Sequence, residues 1–125
     1  MSSRWARTAL SHRIFTGLRR RRLGKLIGEL AGPWAAAGED RLRGRRGHER
    51  KRAAGAGPDH DLPFTDRVIV TLVYLRFQLP HAALARLYHV DRSTVTRAVG
   101  EIRPLLAARG FAVPGRPGLR LRTLA

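Results

Sequence analysis

The sequence predicts an all-α protein, in which a three-helix bundle follows a basic amphipathic helix and a flexible linker. Apolar residues recur at helical spacing in separate stretches, and Gly and Pro stand between those stretches, where helices end. A chain of 125 residues has room for about one domain. It contains no cysteine, which excludes disulfides and thiolate metal sites from the fold.

Residues 1–37 are predicted to form a basic arm followed by one helix over residues 14–31. Thr16 can cap the start of this helix, and Pro33 is expected to end it. Its apolar residues fall at i, i+3, i+4 and i+7 and indicate a packing surface: Leu23, Leu26, Ile27 and Leu30. The absence of acids before Glu29 also suits a transit peptide, but the basic character continues beyond any presequence and favours the arm.

Residues 38–61 are predicted to be a flexible basic linker, in which Gly, Arg and Glu dominate. Large apolar residues are nearly absent, with Leu42 as the exception, so this stretch cannot bury enough surface to fold alone. A short helix around residues 34–46 remains an alternative.

Residues 62–113 carry the predicted three-helix bundle. Its first helix is expected over residues 64–77, where Val, Ile and Thr would also suit a strand. A length near 14 residues and Asp66 in the first turn favour the helix. Pro80 then separates it from the second helix.

The second and third helices are expected over residues 81–88 and 91–109. Gly110 is a natural C-terminal cap for the third helix. Pro104 lies inside that helix, where a missing amide hydrogen predicts a kink or an early end.

These two helices have the pattern of a helix-turn-helix, a motif that places its second helix in the major groove of DNA. Ala85 supplies the small residue needed where the helices cross, and Val90 fills the turn. Asp91 is the expected N-cap, with a carboxylate that accepts the exposed first-turn amides. His89 stands where a left-handed Gly is common. The buried stripe of the third helix falls at i, i+4 and i+7: Val95, Val99 and Ile102.

The opposite face of the third helix is the predicted DNA-binding surface. It gathers hydroxyl and guanidinium groups at the helix N-terminus, from Arg92, Ser93, Thr96 and Arg97, with Thr94 beside them. Arg can bond guanine O6 and N7 in a bidentate manner, and hydroxyls and helix-end amides bind phosphates. The preceding helix would contact the DNA backbone through His81 or Arg86. The alternative is a plain three-helix bundle without a DNA role.

The charge of the chain points to a polyanionic partner. Its net charge is +16 and its pI is near 12, which suits a phosphate backbone. Only Lys25 and Lys51 are lysines, so a GC-rich genome that inflates Arg, Ala and Gly is an alternative source of the charge. No apolar run approaches the ~20 residues of a membrane span, so no membrane partner is expected. An RNA-binding role is disfavoured, because the chain lacks a platform of aromatics for stacking bases.

Residues 62–125 resemble the N-terminal helix-turn-helix of bacterial insertion-sequence transposases that carry a DDE-type endonuclease domain. The resemblance rests on four segments: D-R-V-x-x-T-L-V-Y-L-R, L-A-R-L-Y, V-D-R-S-T-V-T-R-A-V and E-I-R-P-L-L-A-A-R-G. It implies recognition of transposon-end DNA in the bacterial cytoplasm, at the nucleoid. It also implies an RNase H-like domain that cuts DNA with three carboxylates and a divalent metal.

The resemblance transfers DNA binding to this chain but not catalysis. Within residues 62–125 the acidic residues are Asp66, Asp91 and Glu101, all on helices of the binding unit. We therefore expect no enzymatic activity and no cofactor here, with divalent metal belonging only to the missing catalytic domain. Residues 114–125 are interpreted as a truncated connection to it. Double-stranded DNA is the expected partner, with a homo-oligomer or association with a full-length transposase open. The alternative function is a helix-turn-helix transcription regulator.

Overall fold

The computed structural model describes residues 3–44 and 62–113, and both ranges are helical. The helices are α1 (Ser3–Leu10), α2 (Arg13–Thr16), α3 (Arg20–Gly44), α4 (Phe64–Phe77), α5 (His81–Tyr88) and α6 (Arg92–Arg109). No strand occurs within the described ranges. The all-α prediction is confirmed, and the three helices of the bundle lie within one residue of their predicted bounds.

Helix α4 lies at the centre of the molecule. Consecutive residues on all its sides are buried, from Asp66 to Val73, and α1, α2, α3 and α6 all contact it. A helix that is apolar all round is one that neighbours surround. The Val and Ile content that also suits a strand therefore reflects burial on every side of a helix.

The apolar core joins both described parts of the chain. The N-terminal helices contribute Leu10, Leu23, Leu26 and Leu30, each at most 5% exposed. The bundle contributes most of the other core residues, including Val68, Leu72, Leu84, Val95, Ile102 and Leu106. The predicted packing surface of the N-terminal helix is therefore confirmed, and its partners are α4 and α6.

The single helix predicted over residues 14–31 is wrong at its start. Helix α2 ends at Thr16, and Gly17 follows in the left-handed region with φ 80°, a conformation that glycine adopts without strain. Thr16 does not cap a helix start. It is fully buried, and its hydroxyl oxygen accepts the Leu18 amide hydrogen at 3.1 Å, which fixes the bend before α3.

The sequence predicts that Pro33 ends the helix, and this prediction is wrong. Helix α3 runs through Pro33 for 25 residues, because the next residue, Trp34, is held by distant parts of the fold. The Trp34 ring stacks near Phe64 at 4.8 Å between centroids, and its Nε1 donates to Glu101 Oε1 at 3.0 Å. Tertiary contacts here outweigh the hydrogen bond that a proline removes.

The predicted linker is therefore shorter at its start. Residues 38–44 continue α3, and residues 45–61 and 114–125 lie outside the described residues. Pro104 is likewise accommodated, since α6 continues to Arg109. Of the kink or early end predicted there, the early end is wrong, while Gly110 is confirmed as the left-handed C-cap with φ 77°.

Two partly buried arginine contacts fix the N-terminal helices along α4. Arg7 donates from Nε and Nη2 to the two carboxylate oxygens of Asp66 at 2.9 and 2.8 Å. Arg76 Nη1 donates to the carbonyl oxygens of Ile14 and Phe15 at 2.8 and 3.0 Å. Helix α1 therefore lies at the start of α4, and α2 lies at its end.

A third arginine joins three helices. Arg67 Nη1 donates to Glu101 Oε1 at 2.9 Å, and its Nε donates to the Leu62 carbonyl oxygen at 2.7 Å. Glu101 also accepts from Trp34, so α3, α4 and α6 share one polar contact.

Among the helices of residues 3–44 and 62–113, none has the length and hydropathy of a membrane span.

Candidate DNA-binding site

The predicted helix-turn-helix is present as α5, a short turn and α6. The turn closes through the Val90 amide, which donates to the Ala85 carbonyl oxygen at 3.0 Å. Ala85 is 3% exposed, and α5 packs against α6. The role of Ala85 as the small residue where the two helices cross stays a prediction.

His89 adopts the left-handed conformation that the motif requires, with φ 59° and ψ 44°. A residue with a Cβ is strained there by about 1–2 kcal/mol, although His is among the more tolerant types. His89, which stands where the motif commonly has glycine, therefore does adopt the left-handed backbone conformation of that position.

Replacing His89 with glycine is expected to stabilise the protein by about 0.5–1 kcal/mol, because relief of strain exceeds the entropy that glycine loses on folding. Urea unfolding measures the change. Gln78, with φ 57° at the end of α4, should respond to glycine in the same direction. Ala83→Gly, inside α5, should instead destabilise by about 1 kcal/mol. Equal losses at all three positions would contradict the strain argument.

The first turns of α6 separate a buried side from an exposed side. Val95, Ala98, Val99 and Ile102 are buried, each at most 6% exposed. Four predicted site residues lie exposed on the other side: Arg92, Ser93, Thr96 and Arg97. Thr94 is 4% exposed, so its side chain lies with the core and not beside the DNA-binding face, where the sequence predicted it.

The start of α6 is capped differently from the prediction. Asp91 has the extended backbone of an N-cap, with φ −74° and ψ 153°, but its carboxylate makes no capping hydrogen bond. The carbonyl oxygen of Asp91 instead accepts from the Thr94 and Val95 amides at 3.0 and 3.4 Å. The Asp91 carboxylate therefore does not bond the other amide hydrogens of the first turn.

His81 connects the exposed face of α6 to the core. Its Nδ1 lies 2.8 Å from Thr96 Oγ1, and its ring meets Tyr74 edge-on at 4.7 Å. His81 is half-buried, so this contact orients the Thr96 hydroxyl. Arg86 is exposed in the last turn of α5. DNA contact by either residue stays a prediction.

The site predicted from the sequence does not include the whole exposed face of α6. Gly100 and Arg103 follow Thr96 at i+4 and i+7, and both are exposed. A Cβ at Gly100 would meet nothing within 4 Å, so the backbone is open to close approach there. The helical period that identified Arg92 and Arg97 would also have identified Arg103.

The carboxylates of the bundle do not fit a divalent metal site. Asp66 is paired with Arg7, and Glu101 accepts from Arg67 and Trp34. Asp91 lies exposed at the start of α6. Within residues 3–44 and 62–113, no three His, Cys, Asp or Glu side chains are grouped so that they could hold a metal ion.

A buried helix pair with a tight left-handed turn and a polar, basic second-helix face defines a DNA-binding helix-turn-helix module. Residues 60–112 match the family model for the helix-turn-helix of DDE superfamily endonucleases. This segment, which includes all of α4, α5 and α6, is therefore similar to the helix-turn-helix domain of those endonucleases. The match includes no nuclease domain. No curated protein and no solved structure matches the chain.

Proposed function

We propose that this chain recognises the DNA ends of a transposon through the exposed N-terminal face of α6, and that it binds this DNA without cutting it. One observation carries the proposal. Arg92, Ser93, Thr96 and Arg97 are exposed together on the helix that the matched motif places in the major groove.

The four side chains have complementary roles in this proposal. Arg92 and Arg97 contact base edges, because a guanidinium matches guanine O6 and N7. Ser93 and the amides of the first α6 turn bind backbone phosphates. Thr96 is oriented by His81, so its hydroxyl meets the DNA in a fixed position. Arg86 adds a phosphate contact from α5.

Binding of this kind needs no metal or other cofactor, because guanidinium, hydroxyl and amide groups supply every contact. The proposed partner is double-stranded DNA, joined by a second copy of the chain or by a full-length transposase at the two transposon ends. Its place in the cell is the bacterial nucleoid.

Selection from a random duplex library tests this function. The full chain is expected to enrich one consensus, and that consensus should recur as inverted repeats on either side of its reading frame. A duplex carrying the consensus should remain intact with the protein and Mg²⁺ or Mn²⁺.

Failure to enrich any consensus would contradict sequence recognition. A consensus found at promoters and not beside the reading frame would instead support a transcription regulator. Cleavage of the consensus duplex would contradict binding without cutting. The Arg92→Ala/Arg97→Ala protein, purified in the same way, controls for a contaminating nuclease.

A further inference from the structure

A basic pocket of about 390 Å³ lies where α1, α2 and the start of α3 meet. It lies outside the segment that matches the family model. The residues that line it are Thr8, Ser11, His12, Arg13, Arg19 and Arg20. None of them is acidic, and no ion pair or hydrogen bond with the described residues engages the three guanidinium groups.

His12 presents a defined hydrogen-bond donor at this pocket. Its Nδ1 accepts the Ile14 amide hydrogen at 3.0 Å, so the neutral ring carries its proton on Nε2. The Ser11 hydroxyl already donates to the Thr8 carbonyl oxygen at 3.2 Å. The groups left to meet a ligand thus include three guanidiniums and one imidazole N–H, which only donate, and the Thr8 hydroxyl, which can donate as well. Phosphate oxygens, which only accept, complement this set.

The pocket and the exposed face of α6 lie at the same end of α4. On the pocket side, Phe15 of α2 packs on Phe77 with ring centroids 6.2 Å apart. On the other side, Tyr74 contacts His81, which contacts Thr96 of α6. Helix α2, which contributes to the pocket, and His81, which contacts α6, therefore both adjoin the last turns of α4.

We propose that this pocket binds a phosphate of the DNA backbone and extends the contact with DNA beyond the helix-turn-helix. The inference rests on the proposed function, since the duplex is the one held by α6. A free phosphate group offers the same oxygens, so the experiment separates the two sources.

Paired charge-neutralising variants test the pocket in the full chain. Arg19→Gln/Arg20→Gln removes two lining guanidiniums. Arg21→Gln/Arg22→Gln removes the same charge from exposed neighbours on the same helix that do not line the pocket. In the pocket variant, the plot of log affinity against log salt is expected to become less steep by about 1 to 2, because one or two phosphate contacts are lost. Binding to all duplexes should weaken alike. The control should change the slope by less than half as much. Equal changes in both variants would overturn the proposal.

Methylphosphonate scanning locates the contact without relying on overall charge. One neutral linkage at a time is placed along the bound duplex. At one position, the neutral linkage is expected to weaken DNA binding by the wild-type protein and by the Arg21→Gln/Arg22→Gln control. The same linkage should not weaken binding by Arg19→Gln/Arg20→Gln. Absence of such a position would overturn the pocket contact. Matching thermal unfolding curves for the variants establish that each remains folded, and His12→Phe supplies an independent pocket variant.

Inorganic phosphate distinguishes the sources of the ligand. The His12 ring resonances are followed by NMR as phosphate is added, and only a weak, millimolar response that DNA abolishes is expected. A strong phosphate response in a protein whose pocket variants bind DNA normally would overturn the DNA source. Loss of sequence selection with the methylphosphonate effect intact would refute the α6 proposal alone.

Discussion

Replacement of Arg7 by methionine is expected to lower the free energy of unfolding by about 3 kcal/mol, because it leaves the Asp66 carboxylate buried without its partner. The Asp66 side chain is 2% exposed, whereas that of Arg7 is 45% exposed. Asp66→Asn should therefore cost only about 1 kcal/mol, since Arg7 can turn to water and the amide oxygen still accepts one hydrogen bond. Urea unfolding of the two variants measures this asymmetry.

Arg4→Met is the matched control for this pair. Arg4 lies exposed on the same helix, so its replacement should stay within about 0.5 kcal/mol of the wild type. The double variant Arg7→Met/Asp66→Leu should recover most of the loss, because it leaves no uncompensated charge. Equal costs for Arg7→Met and Asp66→Asn would contradict the assigned burial.

Alanine at both Arg92 and Arg97 is expected to weaken binding to the selected consensus by about 2–6 kcal/mol, at about 1–3 kcal/mol for each base contact. The loss should fall on specific binding, so the ratio of consensus to random-duplex affinity drops by about 30-fold or more. Titration of both duplexes at one fixed salt concentration measures the ratio.

Arg21→Ala/Arg22→Ala removes the same charge from α3 and controls for long-range electrostatics. This variant should weaken both duplexes slightly and leave their ratio unchanged. If Arg92→Ala/Arg97→Ala also left the ratio unchanged, α6 would not be the helix that reads the bases.

Local signals in the sequence were sufficient for the three helices of the bundle. Apolar spacing defined their buried faces, and Pro80 and Gly110 marked two of their boundaries. Helix α3 could not be predicted in the same way. Its passage through Pro33 depends on Trp34, whose hydrogen-bond partner Glu101 lies 67 residues further along the chain.

The candidate site was predictable in outline and less so in detail. Helical spacing correctly separated Val95 and Val99 from Arg92 and Arg97, but Thr94, predicted beside the exposed face, is buried with the core. Positive charge also proved an incomplete guide to nucleic-acid contacts. Arg67 and Arg76 are each 7% exposed, and distant segments supply acceptors for both: Glu101 for Arg67, and the carbonyl oxygens of Ile14 and Phe15 for Arg76.

Because its core is shared by the first and last helices, the chain cannot complete that core until α6 has been synthesised. Leu23, Leu26 and Leu30 are buried in one cluster with Ile102 and Leu106, which the ribosome adds last among them. At roughly 5–20 residues per second, about 4–15 s pass between the synthesis of the α3 leucines and that of the last core residue of α6. During that interval the nascent chain displays an uncovered leucine ridge beside a dense row of arginines. Such a surface suits capture by a chaperone until α6 emerges and closes the core.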